Sequence, residues 1–232
     1  MIYPFTRMTA AALATLTLAA CSNDSARIDY RALVQGAAPE LAARLGAGAP
    51  AAAAAPLASP AAVLAATTTP VAFVRTAQDD AFYVLGVRDN GPYRTFATTT
   101  RQTLVLRQGL VTATRGLGQD LMASKADETL AMLASGREGR AQRVMQVLDG
   151  EDVTRDLVLD CVLAQGAADL PQAVAALPAG RRMTETCTGR GHDGAPISFA
   201  NSYLVDASGR IVLSRQWLPT QSGTLSLQIL RN

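Results

Sequence analysis

Histidine is almost absent from this chain, with His192 the only one among 232 residues. A metal centre built on imidazoles is therefore excluded, and any serine or cysteine nucleophile would have to take its base from Arg190-Gly191-His192-Asp193-Gly194. That stretch has the composition of an exposed turn. Cysteine is scarce too: only Cys21, Cys161 and Cys187 occur, and no two lie at the close spacing of a zinc site. Lys125 is the single lysine, the remaining basic residues are arginines that form no cluster, and the formal net charge is +2. These features speak against a nucleic-acid partner. GxSxG, SxxK and P-loop sequences are also missing. Carboxylate pairs of the glycosidase kind can converge only in the fold, and nothing local selects one among Asp156, Asp160, Glu185 and the rest. Neither a catalytic residue nor a cofactor or metal is expected.

No apolar run reaches the roughly 20 residues that a membrane-spanning helix needs. The longest, Met8 to Ala20, follows a short polar start carrying Arg7 and ends in Leu18-Ala19-Ala20-Cys21. This is the layout of a secretory leader ending in a lipobox, so residues 1–20 are expected to be removed and Cys21 to carry the lipid that tethers the chain to a membrane. Ser22, in place of an aspartate, points to the outer membrane of a Gram-negative cell, facing the periplasm. In that oxidising space the two remaining cysteines, Cys161 and Cys187, are expected to pair, worth roughly 3 to 4 kcal/mol in the chain-entropy account.

Beyond the anchor, residues 21–45 form a short lipidated segment in which Gly36 and Pro39 interrupt a possible helix. Residues 46–70 hold 12 alanines and 4 prolines with no charge, a composition that reads as a linker. From residue 71 to 232 the dominant signal is alternation with period two. Leu157, Leu159, Cys161 and Leu163 share one face, with Asp156 and Asp160 on the other. Ile197, Phe199, Tyr203 and Val205 form a second such series, Ile211, Leu213 and Trp217 a third, and Leu225, Leu227 and Ile229 a fourth. Compact turn signals separate the runs at Asp89-Asn90-Gly91-Pro92, Arg107-Gln108-Gly109, Asp149 to Asp152 and Asp206 to Gly209. One helix is expected after Ser124 as N-cap, stopped at Gly136, and a second short helical turn within 166–180. The expected fold is mainly β: an antiparallel meander forming a sandwich or open barrel with one or two short helices.

The richest stretch is Gly109 to Met122, containing Thr114-Arg115-Gly116-Leu117-Gly118 and then Asp120-Leu121. It is a poor dinucleotide loop, lacking a third glycine and a βαβ setting. Gly116 and Gly118 read as structural, supplying left-handed backbone or close packing, while Arg115 and Asp120 are candidates for contact with a partner or an acidic sugar. Tyr203, Arg215 and Trp217 extend that list, since aromatic rings and guanidinium groups stack on sugars and proteins. Trp217, in phase with Ile211 and Leu213, also reads as core.

With Val147-Leu148-Asp149-Gly150, the two cysteines, Asn201, Tyr203 and the run from Arg210 to Trp217, this stretch resembles the YjbF/GfcB family of lipoproteins, over about residues 70 to 231. The resemblance implies a non-enzymatic outer-membrane lipoprotein accessory to capsule or exopolysaccharide assembly or export, with envelope proteins as expected partners and the polysaccharide as a candidate ligand. It carries over no catalytic residue. The alternatives are a polysaccharide-modifying enzyme and a scaffold partner of an outer-membrane barrel.

Overall fold

A computed structural model describes residues 57–100, 102–117, 119–148, 153–219 and 223–232. The leader, Cys21, the segment 29–45, Gly118 and the turn at Asp149 to Asp152 lie outside the described residues.

The alternating runs form strands: β1 Val71–Thr76, β2 Ala81–Asn90, β3 Tyr93–Ala97, β4 Thr103–Arg107, β5 Leu110–Arg115 and β6 Leu121–Lys125. The second half supplies β7 Gly139–Leu148, β8 Thr154–Gln165, β9 Gly180–Arg190, β10 Pro196–Asp206, β11 Ile211–Trp217 and β12 Thr224–Arg231. Every neighbouring pair is antiparallel. From β1 to β5 the strands follow chain order, from β6 to β12 they do so again, and β1 pairs with β12. The result is one twelve-stranded sheet curled into a nearly closed barrel, whose ends are β5 and β6.

Short links follow from turn chemistry. At the β4–β5 hairpin Gln108 and Gly109 both take positive φ, 51° and 86°, as a two-residue hairpin turn demands. At the β10–β11 turn the Asp206 carboxylate accepts from the backbone of Ser208 and Arg210, with Gly209 at φ 80°. Burial raises the Asp206 carboxyl, but the Ser208 hydroxyl, which donates at 2.7 Å, and these backbone bonds outweigh it and hold the group below the usual carboxylate range.

Two short helices accompany the sheet. Helix α1, Pro60–Ala66, lies in the stretch that composition assigns to a linker. It buries no residue, consistent with the absence of large side chains, yet this region is tied down: Arg231 donates to the carbonyls of Leu64 and Thr67, and Tyr83 to that of Ala58. Helix α2, Asp127–Ser135, buries Thr129, Leu130, Met132 and Leu133 and ends at Gly136 in the left-handed conformation, φ 70°. Its N-cap is Ala126, not Ser124: Ser124 remains in β6, pairing with Met145, so its hydroxyl caps nothing.

The segment 166–179, expected to contain a helical turn, has none. It runs instead as a strap across the outer face of β10 to β12. Leu170, Ala173 and Leu177 pack on Leu204, Val212 and Leu213, while the Gln228 side chain accepts from Val174 N at 2.7 Å and donates to Ala175 O at 3.0 Å. Leu213 reaches that outer face because of a bulge. Val205 pairs with Ile211 but Leu204 with Leu213, so Val212 is an extra residue and reverses the phase of the strand. Ile211 therefore packs inward with Val205 and Tyr203, whereas Leu213 and Arg215 do not share its side.

Inside the barrel, apolar side chains form two clusters. One gathers Val74, Phe96, Leu121, Met145, Leu159, Cys161, Cys187 and Leu227 among others; the second gathers Leu130 and Leu133 of α2 with Ala141, Leu163, Met183, Tyr203 and Ile211. Cys161 and Cys187 face each other across β8 and β9 and are joined as a disulfide, with Cα atoms 4.0 Å apart.

Candidate functional site

Three strands, β7 and the adjacent pair β9 and β10, place a polar residue on the inward face between the two apolar clusters. On β7 it is Arg143, between Ala141 and Met145; on β9 it is Glu185, between Met183 and Cys187; on β10 it is Asn201, between Phe199 and Tyr203. The side chains of Arg143 and Glu185 are 1% and 0% exposed and meet at 2.8 Å. Glu185 Oε2 also accepts from Asn201 Nδ2 at 2.8 Å and Tyr203 Oη at 2.7 Å, and Oε1 accepts from Thr129 Oγ1 of α2 at 2.9 Å. Asn201 Oδ1 in turn accepts from Trp217 N at 2.7 Å.

Burial opposes the charge on both members of the pair. Against it, the Arg143 guanidinium and the bonds from Tyr203, Asn201 and Thr129 hold the Glu185 carboxyl below the ordinary range. Burial lowers the Arg143 guanidinium as well, and Glu185 more than restores it, leaving it above its usual value. The Tyr203 phenol is pushed well above 10 by burial and the adjacent carboxylate. With four donors on its two oxygens, Glu185 has its acceptor capacity filled and its proton affinity depressed, the opposite of a general acid. The polar layer is built to hold the barrel interior in one arrangement.

The donor atoms of Cys161, Glu185 and Cys187 lie within 4.8 Å of one another. As a metal ligand set they fit poorly, because the two sulfurs are bonded to each other and the carboxylate already faces Arg143.

The Thr114 to Leu121 motif occupies the place where the chain crosses from β5 to β6, the ends of the sheet. Asp120 sits inside the corner. Its carboxylate accepts from Thr114 Oγ1 at 3.0 Å, Gly116 N at 2.8 Å and Leu117 N at 3.2 Å. Thr114 Oγ1 accepts from Leu121 N at 3.0 Å, and Arg115 Nη1 donates to Leu121 O at 3.1 Å. Side chains thus stand in for a backbone ladder across the seam, and Gly116, at φ 78°, has the left-handed backbone that the corner needs. Asp120→Ala strands two backbone N–H groups and the Thr114 hydroxyl, and is expected to cost about 2 kcal/mol; urea unfolding that shows less than 0.5 kcal/mol would refute this role.

The other candidates lie elsewhere. Tyr203 is fully buried, with its hydroxyl on Glu185. Arg215 pairs with Asp169 of the strap, which explains an arginine within an apolar series once the Val212 bulge is taken into account. Trp217 is half-buried, stacked on Phe199 with ring centroids 4.2 Å apart, and packs against the first apolar cluster. Arg115 and Asp120 are brought together; the five candidates as a group are not.

A surface cleft of about 430 Å³ lies beside the β2–β3, β4–β5 and β10–β11 turns, with Asp89, Tyr93, Arg94, Arg107 and Arg210 in its walls. Sequence reasoning missed it, as it missed Arg143 and Glu185. Three arginines far apart in sequence carry no local signal, whereas Glu185 was findable as a carboxylate in phase with the inward-facing Cys187.

The molecule is therefore a single curled antiparallel sheet closed around a buried ion pair and a disulfide. Its sequence matches the model of the family described as "Group 4 capsule polysaccharide lipoprotein gfcB, YjbF" over residues 32–230, and the chain belongs to that family. A solved structure of similar fold is the hypothetical lipoprotein YmcC of Escherichia coli K12, with a TM-score of 0.63 and 14% identity over 76% of this chain and 90% of that one. No curated protein matches the sequence.

Proposed function

We propose that this protein is a non-enzymatic accessory lipoprotein, held in the outer membrane by an acylated Cys21 and facing the periplasm, that serves assembly or export of a capsule or exopolysaccharide. The observation that carries the reading is the family match across residues 32–230, and the lipobox-like sequence Leu18-Ala19-Ala20-Cys21 supports it. The geometry supports it from another side. Glu185, fully buried, is saturated by four donors, which suits a rigid binding or docking body better than acid–base chemistry. Asp120 and Tyr203 spend their polar groups within the fold, while Arg115 and Arg215 keep guanidinium donors beyond the bonds they make there.

Deleting the gene is expected to lower surface polysaccharide, and wild-type protein to restore it. Wild-type protein is expected to incorporate radiolabelled palmitate, and Cys21→Ser to incorporate none and to fail to restore polysaccharide. Unchanged polysaccharide in the deletion strain would refute the reading, and palmitate incorporation by the serine variant would refute the anchor.

A further inference from the structure

The cleft between the β2–β3, β4–β5 and β10–β11 turns combines features that nothing in the fold requires. Arg94, Arg107 and Arg210 reach it from three separate elements. Arg94 forks Asp89 through Nε at 2.6 Å and Nη2 at 3.1 Å, and Arg107 donates through Nη1 to Asp127; each keeps further N–H donors. Arg210 is exposed and its guanidinium makes no side-chain hydrogen bond among the described residues, although Asp206 in the same turn feels its charge. Tyr93, half-buried beneath Arg107 with the guanidinium carbon 5.8 Å from the ring centroid, adds an aromatic surface and a phenolic hydroxyl. Phe96 and Leu106 close the floor.

The spacing of the arginines is fixed by backbone. Ile211 N donates to Gln108 O at 2.9 Å, so Arg107 and Arg210 each stand one residue from a bonded pair. The Gln216 side chain clamps the same turn, accepting from Val111 N and donating to Gly109 O, both at 2.9 Å. Gly109 lets the turn come this close, since a Cβ there would lie 2.3 Å from Ile211 O. The backbone of this wall is thus set before any ligand arrives, which reduces the ordering cost of binding to that of the arginine side chains.

We propose that this cleft binds an acidic sugar residue, a pyranose carrying a carboxylate, within a polysaccharide. The fork geometry of guanidinium suits a carboxylate, a ring with an apolar C–H face suits the aromatic and aliphatic wall, and the volume falls in the range of small-ligand sites. The carboxylate is placed between Arg210 and the free donors of Arg107. The inference rests on the polysaccharide-related role proposed above and supplies its ligand class.

The test uses the full lipidated chain in detergent micelles, titrated calorimetrically with trigalacturonic acid, with the neutral galactose trisaccharide of the same linkage, and with sodium sulfate. The acid is expected to bind at least tenfold more tightly than the neutral sugar. Arg210→Ala should weaken acid binding at least tenfold without lowering the melting temperature, and Arg210→Lys should recover part of it. Equal binding of acid and neutral sugar, an undiminished Arg210→Ala, or no binding at millimolar acid would overturn the proposal, as would sulfate competing as well as the acid. In the deletion strain, Arg210→Ala present at wild-type level should fail to restore polysaccharide. If it restores as wild type does, the cleft is wrong and the accessory role survives; if deletion itself changes nothing, the accessory role is wrong and the titration still decides the cleft.

Discussion

Glu185→Leu is expected to lose about 3 to 5 kcal/mol of folding stability, the range seen when one member of a buried ion pair is removed. That is a large share of the roughly 5 to 15 kcal/mol by which domains are stable. Arg143 would be left charged at 1% exposure with its partner gone, and Tyr203, Asn201 and Thr129 would each lose an acceptor. Removing both charges as Arg143→Leu/Glu185→Leu should cost clearly less than the two single changes added together, because no lone ion then remains in the barrel. A double-mutant cycle in urea measures this, and additive losses would show that the pair is not coupled.

The same carboxylate sets an acid limb. Its pKa is lower in the folded protein than in the unfolded chain, so its contribution is present above the unfolded value, near 4.5, and fades as pH falls through the folded value. Unfolding free energy should fall below about pH 4.5 in the wild type, and fall less steeply in Glu185→Gln. Tyr203 acts on the alkaline side with the opposite sense: its pKa is raised in the fold, so its contribution is complete below pH 10 and is lost above it.

Removing the Cys161–Cys187 bond is expected to cost about 3.5 kcal/mol, the chain-entropy value for a sequence separation of 26. In a domain of this size each kcal/mol moves the melting temperature by about 2 to 4 °C, so thermal unfolding should drop by roughly 7 to 14 °C in Cys161→Ala/Cys187→Ala. Both sulfurs are buried, at 1% and 0% residue exposure, so reductant should act on the wild type only as fast as the barrel opens. A melting temperature within 2 °C of wild type in the double variant would contradict the entropic account.

Much of the sheet was legible because alternation reports which way side chains face. Leu157 to Leu163 were read correctly on that basis, the turns at Gly91, Gly109 and Gly209 from their turn-forming residues, and the Cys161–Cys187 pairing from the two cysteines left in an oxidising compartment. Alternation does not name a strand's neighbour, so the β1–β12 pairing and the break between β5 and β6 were invisible. Nor does it survive an extra residue. Val212 shifts the phase, and Leu213 and Arg215, read as sharing a side with Ile211, belong under the strap. Arg143 illustrates a third limit: a charged residue in an inward position looks the same in sequence whether it is an edge residue or half of a buried pair. Ser124 misled for a local reason, because its hydroxyl had the right chemistry for a cap while the chain at that point was still strand.

The pairing of β1 with β12 also dictates an order of events in folding. Val71 lies opposite Arg231, so the two strands that join the halves of the sheet are the first and last of the twelve to be synthesised. Strands β2 to β5 and β7 to β11 can each pair with the strand made just before, whereas Ala72 and Val74 must wait for Ile229 and Leu227 opposite them. Joining such distant segments is slow compared with local pairing, although its entropic cost rises only logarithmically with loop length. Until the final strand arrives, β1 and β11 each present an unpaired edge, and a truncation that removes β12 leaves both in that state at once.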